Sequence, residues 1–240
     1  RVLSGVGGTV VYDADFSSQT AYTQSFTESS SQGATVTLNV SGGNWSSSLW
    51  STRVPLPQDD VYFNTKFAAS QTVTADMPRL GRSISWTGAT GSPTFAMSST
   101  ANTIFGSLTL ISGMTISGTQ ALTFAGRGSY TLTSAGKQFA QAFTFSMPGG
   151  TLSLQDAMSI TGNTSFNYGS FVSNGFNITA NNFGSGNSNV RTINITNSTF
   201  TILLTSGTVL STNPNTNLTL VSTGSTLYLP TSSSTRTLAF

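Results

Sequence analysis

Two periods run through this chain at once, and together they leave few folds open. The shorter is a period of two. Apolar residues flank a hydroxyl or amide side chain in triplet after triplet, from Ile84-Ser85-Trp86 through Leu108-Thr109-Leu110, Leu122-Thr123-Phe124, Phe143-Thr144-Phe145 and Leu152-Ser153-Leu154 to Ile193-Asn194-Ile195 and Leu227-Tyr228-Leu229. Alternation sends successive side chains to opposite faces of a strand, and no sustained 3.6-residue apolar stripe competes with it, so the chain reads as all-β. The longer period is about 22 residues, with Leu110, Leu132 and Leu154 spaced by 22 and 22. From Gly106 the chain divides into coils of that length, each with three triplets or their remnants between Gly, Ser and Asn. Such a coil predicts one rung of a right-handed parallel β-helix, whose inward side chains are buried only by stacking on neighbouring rungs. An antiparallel sandwich or barrel also fits short strands at even spacing and stays open at this level. Outward Thr and Ser are expected to align between rungs as hydroxyl ladders, Thr being suited to an exposed strand face. The rhythm loosens after Phe171, with an insertion expected around residues 181–189 and one or two looser rungs over 199–240.

Composition narrows the chemistry. Only 7% of the 240 residues are charged, 9 Lys+Arg against 7 Asp+Glu, and there is neither His nor Cys; an ordinary soluble domain is about a quarter charged. Their absence removes Ser-His-Asp and Cys-His nucleophiles, imidazole and thiolate metal sites, disulfides and thiol redox chemistry. Ser and Thr number 39 and 40, yet 16 Phe, 3 Trp and 6 Tyr are spread along the length, which argues for a folded chain over a disordered one. No apolar run approaches the roughly 18 residues of a membrane span and no signal-peptide core follows Arg1, so a soluble chain without membrane insertion is expected. The cations are scattered rather than clustered, which speaks against nucleic-acid binding.

The sequence divides into residues 1–43, an N-terminal arm or cap holding Asp13, Asp15 and Glu28; residues 44–105, the first rungs; and residues 106–240, the β-helix body. Trp45 and Trp50 are expected to fold over the first rung as an apolar lid, with Pro55 and Pro57 holding an extended approach. Adjacent Asp59 and Asp60 raise the question of calcium, but neighbours pointing to opposite sides of a strand make a poor cage, so a turn or cap role is expected and no metal is assigned.

The stretch from Gly42 carries a more particular pattern: Gly-Asn-Trp at 43–45, a second Trp at 50, a Pro followed by Asp-Asp-Val-Tyr-Phe at 59–63, Thr-Val-Thr-Ala-Asp at 72–76 and Ser-Ile-Ser-Trp-Thr-Gly-Ala-Thr at 83–90. It resembles the opening of Thr/Ser/Gly-rich β-helical virion structural proteins of tailed bacteriophages, of decoration or fibre type, and the triplet coils extend the resemblance to about Thr201. The resemblance implies a non-enzymatic structural protein on the exterior of the virion, a capsid decoration or fibre module, assembled in the bacterial host cytoplasm. Its implied partners are other virion proteins and further copies of itself as a homotrimer. Similar openings head the β-helices of bacterial secreted adhesins, which makes a surface adhesin an alternative.

Catalysis has little to work with. Glycoside hydrolysis needs two carboxyl groups about 5–10 Å apart, whereas Asp156 is the single acid after Asp76. A lyase using a basic residue would depend on Arg127, Lys137 or Arg191, and a trimer could pair Asp156 with an acid of the next chain. No catalytic, cofactor or metal site is expected. The other alternative is a receptor-binding module for host surface glycan, in which Tyr168, Phe171 or Tyr228 stack on sugar rings, although their triplet positions favour inward rung fillers.

Overall fold

The computed structural model describes residues 35–37, 42–47, 49–51, 53–63 and 70–240. Among them every regular element is a strand, and every strand pairing is parallel. Hairpins pair antiparallel, so the sandwich and barrel readings are excluded and the fold is a parallel β-solenoid. Each turn lays one strand on each of three faces.

On the first face Val36, Val61, Ile84, Leu108, Leu132 and Leu154 stack in register, all essentially inaccessible. On the second, Met158, Ile178, Phe200 and Leu227 stack. On the third, Ile104, Phe124, Phe145 and Phe166 form one inward column and Leu122, Phe143, Thr164, Phe183 and Leu210 the other. The polar residue between each inward pair faces out, so the hydroxyls align as well: Thr103-Thr123-Thr144-Ser165 on the third face and Ser129-Thr151-Ser170-Thr192-Thr219 on the first.

Rung length is less uniform than the leucine spacing indicates. Leu154 pairs with Leu132 at 22 residues, but Leu132 pairs with Leu108, 24 residues back, and not with Leu110. Along the third face the step from Thr164 to Phe183 is 19 residues and that from Phe183 to Leu210 is 27. Strand pairing fixes which residues stack, while the corners absorb the differences in length. The stack also runs through residues 105 and 106 without a break, since Ile104 pairs with Phe124 and Ile84 with Leu108. Thr35–Thr37, within the expected N-terminal arm, is already a rung strand paired with Asp60–Tyr62. Most of residues 1–43, with Asp13, Asp15 and Glu28, lies outside the described residues.

Thr164 interrupts the apolar column between Phe143 and Phe183. It is 2% exposed and its Oγ1 has no hydrogen-bond partner among the described residues. A buried hydroxyl without a partner is destabilising, and valine has nearly its shape. Thr164→Val is expected to raise the free energy of unfolding by about 1 kcal/mol, seen as a higher urea midpoint; a lower midpoint would mean the hydroxyl is satisfied.

Candidate functional site

The four acids of the described residues all hold the solenoid together. Asp59 is fully buried, receives both arms of Arg53, with Nη2 donating at 2.8 Å, and accepts the Leu56 amide at 2.8 Å. Asp60 points away to Arg82, whose Nε donates at 2.8 Å, and accepts the Ser83 amide at 3.2 Å. Asp76 takes the Ser46 amide at 2.9 Å and its hydroxyl at 2.5 Å. Asp156 reaches back to the preceding rung and accepts the amides of Ser134 at 2.7 Å and Ala135 at 2.5 Å, holding a turn in which Ala135 has φ 52°. The adjacent carboxylates at 59 and 60 thus serve different guanidinium partners, and among the described residues no group of three or more metal-ligating side chains occurs.

The hydrogen bonds from Arg82 hold the Asp60 carboxyl below its ordinary value of 3.8, burial opposing and the Ser83 amide reinforcing them. A carboxyl whose folded pKa is depressed stabilises the fold fully above its unfolded pKa, and that contribution is lost as pH falls through the folded value. The expected result is an acid-side decline in stability, starting near pH 4, that is shallower in Asp60→Asn. Parallel curves of unfolding free energy against pH for the two proteins would refute it.

The basic residues are dispersed. Lys137 Nζ donates to the Ser112 carbonyl at 2.6 Å, Arg127 is exposed at a corner, and Arg191 begins a strand three rungs further along the same corner, about 14 Å away at the usual strand spacing. Arg191 itself is fully buried. Its Nε donates to Ser185 Oγ at 2.9 Å, Nη1 to Asn187 Oδ1 at 2.7 Å and the Asn189 carbonyl at 2.6 Å, and Nη2 to the Pro214 carbonyl at 3.3 Å. Every one of these acceptors is neutral, and burial pushes the guanidinium pKa down from its ordinary value.

Trp45 and Trp50 are buried with ring centroids 4.7 Å apart, and Trp50 Nε1 donates to the Trp45 carbonyl at 2.8 Å. Pro55 is buried and Pro57 half-buried beside this first described turn. The cluster is larger than sequence reasoning indicated, because Phe63 stacks on Trp86 at 3.6 Å and Phe95 lies 6.1 Å from Trp45. Parity in the neighbouring strands carried that signal, since Trp86 shares a face with Ile84.

The three aromatics nominated for sugar contact separate. Phe171 is 3% exposed and stacks inward between Leu152 and Ile193, so the structure removes it as a surface contact. Tyr228 is 54% exposed and extends the outward row Ser159-Thr179-Thr201. It lies on the last described rung, where Leu220 and Leu227 are exposed too because no rung stacks on them; these two line an apolar cavity of about 220 Å³ with Phe183 and Phe200 beneath. Tyr168 is 37% exposed and lines a cleft of about 350 Å³ at the corner between the third and first faces.

Fold and surface together define the class: a low-charge parallel β-solenoid with hydroxyl-lined faces and an aromatic corner cleft. Comparison with known proteins yields no match: no family model fits the chain, and no curated protein or solved structure is significantly similar to it.

Proposed function

We propose that the chain is a non-enzymatic structural component on the exterior of a tailed-phage virion, a capsid decoration protein or fibre module that acts as a homotrimer bound to other virion proteins. The observation that carries the reading is the use of the acids. Asp59, Asp60, Asp76 and Asp156 are all engaged in holding turns or arginines of the solenoid. That leaves none of them as a general acid or nucleophile for the polysaccharide cleavage found in many solenoid tailspikes. The sequence pattern from Gly42 to about Thr201 supports the virion setting. A surface braced by stacked hydroxyls and amides, with two ion pairs among the described residues, also suits a particle exposed to varying salt, because ion pairs at a surface are screened and hydrogen bonds between rungs are not.

The test is co-sedimentation of the purified chain with tailless, DNA-filled heads of the phage that encodes it, with its isolated tails and with intact host cells, in separate arms, with light scattering to give the mass of the free protein. Sedimentation with heads and a trimer mass are the expected results for a decoration protein; binding to tails is the expected result for a fibre module. Sedimentation with cells alone overturns the reading.

A further inference from the structure

The corner that passes Tyr168 carries features that stacking of rungs does not require. Its cleft, about 350 Å³, lies at the small end of the roughly 300–1,000 Å³ range of small-molecule sites. Gly149 and Gly150 line it on one rung and Gly169 on the next. Gly149 has φ 73° and nothing within 4 Å of the position a Cβ would take, so the absent side chain leaves open space in the cleft. Gly169 has φ 92° and brings its backbone so near the rung below that a Cβ would stand 2.2 Å from the Met147 carbonyl oxygen. Tyr168 and Val190, the latter 73% exposed, stand side by side on adjacent rungs along one edge of the cleft, since Gly169 pairs with Arg191 and its amide donates to the Val190 carbonyl at 3.2 Å. Two residues further along the same two rungs are Ser170 and Thr192, neighbours in the hydroxyl ladder of the first face.

The Val190 wall is built, not incidental. It ends a corner loop, residues 185–190, longer than the corresponding corner between Phe166 and Ser170. Arg191 holds that loop from inside through Ser185, Asn187 and Asn189. Asn187 and Asn189 in turn donate to the carbonyls of Phe166 and Asn167 on the Tyr168 rung, at 3.2 and 3.0 Å. A buried cation whose partners are all neutral is a costly way to shape a loop, and what it secures is the Val190 edge of the cleft. A wall fixed before the ligand arrives saves the ordering cost of binding.

The lining also selects the ligand. No charged side chain lines the cleft, although exposed Arg127 stands one rung below Gly149 on the same corner, so the lining itself supplies no cation of the kind on which recognition of phosphates and carboxylates rests. An aromatic face, an aliphatic wall and a row of hydroxyls suit a molecule with apolar C–H faces, hydroxyls at its edge and no charge. We propose that this cleft binds a neutral saccharide ring, with its C–H face on Tyr168, its hydroxyls toward Ser170 and Thr192, and Val190 flanking it beside Tyr168. The site stands apart from the decoration reading, since a virion surface protein of either type can hold a glycan.

The experiment is saturation-transfer NMR on the full chain with millimolar D-glucose, D-galactose, D-mannose, N-acetylglucosamine and their trisaccharides. The expected result is transfer to the ring C–H protons of at least one of them. That affinity falls about tenfold or more in Tyr168→Ala, is kept in Tyr168→Phe, and is unchanged in Phe176→Ala, which alters another aromatic 37% exposed but outside the cleft. Tyr168 is partly exposed, so an unchanged thermal midpoint in Tyr168→Ala separates lost binding from lost fold. Absence of transfer from every sugar, or transfer that survives Tyr168→Ala at full affinity, overturns the proposal. Neither outcome bears on co-sedimentation with heads.

Discussion

Replacing Arg191 with alanine is expected to lower the free energy of unfolding by about 3–5 kcal/mol. The guanidinium is fully buried and supplies donors to Ser185, Asn187 and the carbonyls of Asn189, Thr216 and Pro214. Alanine leaves those acceptors without donors and opens a void beneath two corner loops at once. Arg191→Lys keeps the charge but offers one ammonium in place of a planar fork, so it is expected to recover less than half of the loss. Urea denaturation measures both, and hydrogen exchange at the amides of 185–190 locates the effect. A loss under about 1 kcal/mol for the alanine variant would show that the loops hold themselves.

A comparable loss, about 3–5 kcal/mol, is expected for Phe145→Ala. Phe145 is 1% exposed and sits in the middle of the third-face column, with ring centroids 5.9 Å from Phe124, 5.7 Å from Phe166 and 5.5 Å from Phe171. Each rung buries its side chains on its neighbours only, so removing a central ring weakens the interfaces above and below together. Phe176→Ala, at an exposed corner, is expected to stay within about 0.5 kcal/mol of the parent. Equal effects of the two substitutions on the denaturation midpoint would contradict a core made of stacked phenylalanines.

Phe145 and Phe171, both buried, differ in how firmly the sequence places them. Phe145 belongs to Phe143-Thr144-Phe145, and parity alone places it inward with Phe143. Phe171 follows Tyr168-Gly169-Ser170, where a glycine with φ 92° turns the corner and breaks the alternation, so the inward place that triplet spacing favours holds for Phe171 and fails for Tyr168. Tyr168 and Phe171 looked alike in sequence, and the corner separated them, one into the cleft and the other into the core.

All-β character, coils of about 22 residues, inward apolar and outward hydroxyl side chains, and the clustering of Trp45 with Trp50 follow from the sequence by itself, because alternation and composition act within a strand and its immediate neighbours. Only the tertiary structure decided the parallel pairing, the stacking of Leu132 on Leu108 instead of Leu110, and the acceptors of Arg191. The parity of Arg191-Thr192-Ile193 does point the arginine inward. Its partners, however, come from loops at 185–189 and 214–216, and what brings them around one guanidinium is the register of whole rungs, set by the summed pairing of three faces and not by any local pattern.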